Sequence, residues 1–136
     1  MNILAFIKPK NNVVFVYDHD SIKEALNKLE HCRYTSIPII NKEGNYVGTL
    51  TEGDLLWAIK NQTNFDFNKA ETISVSQIRR FRDYVSINMN SQMDELIIKS
   101  TTENFVPVVD DHNLFIGIVT RKDIINYFFE HNFIVL

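Results

Sequence analysis

Only one cysteine, Cys32, occurs in the 136 residues, so no internal disulfide can form and the chain suits a reducing compartment. Glycine and proline are scarce, at four and three, which leaves no stretch that reads as a flexible or proline-rich linker. No basic excess is present, since the formal net charge is −3. A general nucleic-acid binder needs surplus cations to neutralise phosphates, so no nucleic-acid partner is expected. No apolar run approaches the roughly 20 residues that span a bilayer, so no membrane partner is expected either. The apolar run in residues 1–7 is short, has no basic residue before it and stops at Lys8-Pro9-Lys10, unlike a signal peptide. The expected location is cytoplasmic.

Catalytic signatures are missing too. No GxGxxG, Walker-type or GxSxG phrase occurs, and His19, His31, His112, His131 and Cys32 lack metal-ligand spacing. No enzyme activity, metal or required cofactor is therefore expected. What remains is an ordinary globular balance, 45% hydrophobic and 23% charged, with enough apolar residues to close a core.

What the chain does have is an internal repeat with an offset of 69 residues. Ile37-Pro38-Ile39-Ile40 matches Val106-Pro107-Val108-Val109, and Val47-Gly48-Thr49-Leu50-Thr51 matches Ile116-Gly117-Ile118-Val119-Thr120. Asp54 then matches Asp123. Upstream the register slips by two residues, so that Ile22, Ala25 and Leu26 pair with Met93, Leu96 and Ile97. A repeat of this length implies two copies of one supersecondary unit sharing a core.

Each copy reads as βαββα. Residues 13–17 and 84–87 are short β-rich runs. Ile22, Ala25, Leu26 and Leu29 fall at i, i+3, i+4 and i+7, one face of a helix that Asp20 or Ser21 can cap. Met93, Leu96 and Ile97 repeat this after Asn90 or Ser91. Two apolar strands follow, joined by polar turns at residues 41–45 and 110–113, and a helix closes each copy. A short helix is expected over residues 74–81. The fold class is α+β, two βαββα repeats packed about a pseudo-twofold axis in one compact module, with residues 1–65 carrying the first repeat and 66–136 the second.

Both closing helices begin with the same phrase, Thr51-Glu52-Gly53-Asp54 and Thr120-Arg121-Lys122-Asp123. A threonine three residues before an acid caps a helix: the hydroxyl accepts a free N–H and the carboxylate favours the positive end. The same corner suits an anionic ligand, because a strand running into a helix N-terminus presents unpaired N–H groups. A carboxylate there can accept from two ribose hydroxyls.

With Tyr34-Thr35-Ser36-Ile37-Pro38, Asn104-Phe105-Val106-Pro107 and the two Thr-x-x-Asp phrases in place, the sequence resembles a pair of CBS motifs (cystathionine β-synthase domains) over about residues 3–131. Phe6-Ile7-Lys8-Pro9-Lys10 is similar to the threonine-proline turn that often precedes the first strand of such motifs. The resemblance implies clefts for AMP, ADP, ATP, cyclic di-AMP or S-adenosylmethionine. It implies ribose contacts from Thr51, Asp54, Thr120 and Asp123, an adenine edge read by backbone around Thr35 and Asn104, and pocket walls from Ile37 and Val106. Pro38 and Pro107 would hold the start of the strand. It also implies a homodimer formed through the helices. Arg121 and Lys122 favour phosphate in the second copy, whereas Glu52 opposes it in the first. Arg33, Arg79, Arg80, Arg82 and Lys8 are further candidates for phosphate. One departure stands out: Arg33 and Thr102 occupy a place where such motifs commonly carry glycine.

The functional expectation is a regulatory adenine-nucleotide sensor acting in trans on an unnamed target protein. The alternative is a ligand-independent interaction or dimerisation module.

Overall fold

Residues 3–61, 66–81 and 83–130 are described by the computed structural model of the chain. Strand β1 (Lys8–Pro9) comes first. The first repeat is β2 (Val16–Tyr17), α1 (Ile22–Cys32), β3 (Ser36–Ile40), β4 (Tyr46–Thr51) and α2 (Glu52–Asn61). The second is β5 (Ile87–Asn88), α3 (Met93–Ser100), β6 (Phe105–Val109), β7 (Phe115–Thr120) and α4 (Arg121–Glu130). This is the expected α+β arrangement of two βαββα repeats.

Local chemistry explains the boundaries. Ser21 sits extended before α1, and its hydroxyl accepts the Glu24 N–H at 3.1 Å, the capping expected of it. Before α3 the N-cap is Gln92, which makes no side-chain cap bond, so the Asn90 or Ser91 expected there do not fill that role. The helix expected over residues 74–81 is shorter. It is a single 3-10 turn, Val75–Gln77, closed by Ser74 and Gln77 as a capping box. Residues beyond it are needed elsewhere, as described below. The hairpin turns place Gly44 (φ 90°) and Asn113 (φ 62°) at equivalent points of the repeat. Glycine and asparagine are the residues that adopt this left-handed backbone at least cost.

Contacts divide the chain into two units, residues 14–83 and residues 84–136 together with 1–13. Sequence order groups the N-terminal segment with the first repeat, but in space it joins the second. The reason is an open strand edge: Lys8 and Pro9 pair antiparallel with Ile118 and Gly117 of β7. Ile3 is fully buried in the core with Val106, Val119 and Tyr127, and Phe6 meets Tyr127 edge-on at 4.9 Å. The resulting sheet has the order β1-β7-β6-β5.

The unit of residues 14–83 holds a three-stranded sheet, β2-β3-β4, over a core that includes Ile22, Leu29, Ile39 and Leu50. Ile22 N–H donates to the Ile73 carbonyl and Val75 N–H to the Asp20 carbonyl, both at 2.8 Å, which fastens the connecting segment across the start of α1. No helix is long and apolar enough to cross a membrane among the described residues.

Candidate functional site

The sheets leave one backbone edge open in each repeat. Strand β2 is two residues long and pairs only with Ile39 and Ile40, so among the described residues no strand lies beside residues 36–38 on that side. Strand β5 likewise pairs only with Val108 and Val109. Pro38 and Pro107 sit just past these ends, where a missing N–H breaks no ladder. Prolines within middle strands are thus tolerated because the neighbouring strand has already stopped.

At the foot of each open edge lies the strand-to-helix corner. Glu52 N–H donates to the Thr35 carbonyl (3.0 Å), and Arg121 N–H donates to the Asn104 carbonyl (2.9 Å). The sequence-predicted residues Thr35, Thr51 and Asp54 are therefore gathered in the first unit, and Asn104, Thr120 and Asp123 in the second. Ile37 (1% exposed) and Val106 (0%) belong to the two cores.

The two corners differ in their hydrogen bonds. In the first repeat Thr51 and Asp54 form a reciprocal box: Asp54 N–H donates to Thr51 Oγ1 and Thr51 N–H to Asp54 Oδ2, each at 3.0 Å. The remaining oxygen, Oδ1, accepts the Phe81 N–H at 3.0 Å, and Asp54 is only 3% exposed. Both carboxylate oxygens are thus occupied by backbone. In the second repeat Asp123 N–H donates to Thr120 Oγ1 at 3.1 Å. Among the described residues no group donates to the Asp123 carboxylate, and the residue is half-buried.

The cause lies in what covers each strand edge. In the second unit β1 runs along β7 as a true ladder and stays clear of the corner. In the first unit a side chain replaces the ladder: Asp83 Oδ1 accepts the Thr49 N–H at 3.0 Å, and Arg80 clamps that carboxylate at 2.7 and 3.2 Å. The chain held this way delivers the Phe81 N–H to Asp54. Phe81 itself was not singled out for this corner from the sequence. A cavity of 260 Å³ remains beside Asp54, lined by Trp57, Ala58, Asn61, Arg79 and Phe81.

The candidate cations are dispersed. Arg121 directs Nε to the Ser100 carbonyl at 2.8 Å, capping the end of α3, and Lys122 is exposed on the first turn of α4. Arg80 is paired with Asp83, Lys8 lies in β1, and Arg82 falls outside the described residues. Arg33 ends α1 with φ 57°, while Thr101 ends α3 in right-handed helical backbone. The left-handed turn that favours glycine is therefore present in the first repeat only. The apolar tail, residues 133–136, also lies outside the described residues. Among the described residues no cluster of three or more His, Cys, Asp or Glu is placed to hold a metal ion.

Comparison with known proteins fits this architecture. Over 117 residues the chain is 26% identical to homoserine O-acetyltransferase of Methanococcus vannielii, covering 85% of this chain and 23% of that protein. The chain spans between 15% and 46% of the length of the curated relatives it matches. Among solved structures, CbpB in complex with c-di-AMP is 25% identical, with a TM-score of 0.83 over 98% of this chain and 89% of that one. CBSX2 in complex with AMP shares the fold at 22% identity, with a TM-score of 0.76 over 96% of this chain and 98% of that one. The sequence profile of the CBS domain matches both repeats, at residues 6–61 and 75–130, and the chain belongs to the CBS domain family.

Proposed function

We propose that the chain is a regulatory module that binds an adenine nucleotide and acts in trans on a partner protein, without catalysing a reaction. The observation that carries this reading is the free, half-buried carboxylate of Asp123 beside Thr120, at the foot of an open strand edge. A carboxylate held there suits the paired hydroxyls of a ribose, and the strand edge at Phe105, which β5 does not reach, suits the hydrogen-bonding edge of adenine. The exposed Lys122 on the first helical turn adds positive charge for phosphate. Relatives of this fold support the ligand class, since CbpB was crystallised with c-di-AMP and CBSX2 with AMP.

The test is thermal stability with AMP, ADP, ATP, cyclic di-AMP, S-adenosylmethionine and GTP. A ligand that binds only the folded state at 100 times its Kd adds about 2.7 kcal/mol. The expected result is a rise of several degrees with an adenine compound and none with GTP, abolished in Asp123→Ala. No shift with any of them in a folded protein would favour the ligand-independent interaction module.

A homodimer is part of the same proposal. Leu56 and Ile59 of α2 and Ile125 of α4 are each more than 40% exposed, which is costly for helices that face only water. Sedimentation should give twice the 15.9 kDa chain mass, and Leu56→Glu should shift it toward the monomer.

A further inference from the structure

Resting on that reading, we infer that the chain takes one adenine nucleotide, in the second repeat, and that the matching corner of the first repeat is filled by the chain itself. Four observations converge on this.

Each oxygen of Asp54 already accepts a backbone N–H, from Thr51 or from Phe81, and the residue is 3% exposed. A ribose hydroxyl reaches the lone pairs that remain on this buried carboxylate only if the Phe81 segment moves aside. Losing the charge-assisted Phe81 bond weakens binding by roughly 10- to 100-fold. The filling segment is also tied down independently of Asp54, through Asp83 to the Thr49 N–H and through Arg80 to Asp83. It cannot swing aside without breaking these as well.

The space that remains is small. The cavity beside Asp54 measures 260 Å³, below the roughly 300–1,000 Å³ usual for small-molecule sites. Charge acts in the same direction, because Glu52 opens α2 where Arg121 opens α4. A phosphate at the start of the first helix meets the Glu52 carboxylate, and the cation beside Asp54 is Arg79, on the wall of the cavity. The Thr-x-x-Asp phrase is therefore a ligand contact in one repeat and an anchor for the chain in the other.

Equilibrium dialysis with radiolabelled AMP, and separately with cyclic di-AMP, tests this on the full chain. The expected result is saturation at no more than one nucleotide per chain. Asp123→Asn should lose binding by about 100-fold, and Asp54→Asn should melt earlier yet keep its affinity within about twofold. Where Asp54→Asn does not fold, Asp83→Ala gives the same contrast by untying the segment without touching Asp54. Two AMP equivalents per chain, or loss of binding in a folded Asp54→Asn or Asp83→Ala protein, overturns the inference alone. Absence of binding by either nucleotide overturns the functional reading and this inference with it.

Discussion

Gly48 and Gly117 occupy the same position of the repeat, yet alanine should be tolerated at one and not at the other. A Cβ on Gly117 would overlap the Lys8 carbonyl oxygen and lie 2.8 Å from Ile7 Cγ2. The Lys8 oxygen is backbone, so β1 would have to retreat by about an ångström to reach ordinary contact. Retreat breaks the pairs with Ile118 and Gly117 and loosens Ile3 from the core. Two ladder bonds at about 0.5–1.5 kcal/mol each, and half the burial of an isoleucine, sum to about 2–4 kcal/mol. A Cβ on Gly48 would instead overlap the Asp83 carboxylate, lying 2.6 Å from its Cγ. That side chain can rotate away, at the expense of the Thr49 N–H bond and the Arg80 pair. The expected loss is about 1–2 kcal/mol, lessened because alanine restricts the unfolded chain more than glycine does. Urea denaturation at 25 °C followed by circular dichroism measures both, read as a midpoint change at constant slope. Combining Gly48→Ala with Asp83→Ala should cost no more than Asp83→Ala alone, because the obstacle is gone. Equal losses for the two glycines, or simple additivity in that double variant, would refute the reasoning.

Three smaller predictions concern α1. Arg33 holds a left-handed backbone that costs a side-chain-bearing residue about 1 kcal/mol, so Arg33→Gly should raise the melting temperature by a few degrees; a fall would show that the side chain matters more than the backbone. Ser21→Ala removes the N-cap acceptor and should destabilise by about 1 kcal/mol in the same urea assay; an unchanged midpoint would show that the cap contributes nothing. The Lys23 ammonium, by its hydrogen bond and then its charge, holds the Glu71 carboxyl below its ordinary pKa. Any stability from this pair is therefore present above the unfolded-state pKa and lost as pH falls through the lowered folded value. An NMR titration of Lys23→Gln should show the Glu71 pKa rising, and an unmoved value would exclude the pair in solution.

The parts of this fold legible in the sequence are those with local causes. The helical spacing of Ile22, Ala25, Leu26 and Leu29 and the Ser21 cap are written in neighbouring residues. The paired hairpins are equally local. The open edges beside Pro38 and Pro107 are half-legible, since proline marks the place but nothing local says that β2 and β5 stop after two residues. The closed state of Asp54 is not local at all. It depends on a backbone N–H 27 residues later, delivered by a segment that Asp83 fastens to Thr49. The only trace in the sequence is the carboxylate itself: at the upstream offset Asp83 answers Asn12, so the acid is present before one repeat and absent before the other. The proposed preference for the second repeat has its trace in Arg121 and Lys122. Even there the structure reassigns a role, because Arg121 spends its Nε on the end of α3.

The pairing of β1 with β7 sets an order of events during synthesis. Lys8 leaves the ribosome ahead of its partner Ile118, which emerges only after another ~110 residues, roughly 5–20 s later at ordinary elongation rates. Residues 14–83 can close on themselves in that interval, since their strands and helices are contiguous. Ile3 and Phe6 must wait, apolar and without their core, until the second repeat arrives to receive them. These residues are made before their partners, and the nascent chain carries an exposed hydrophobic hook until the second repeat emerges.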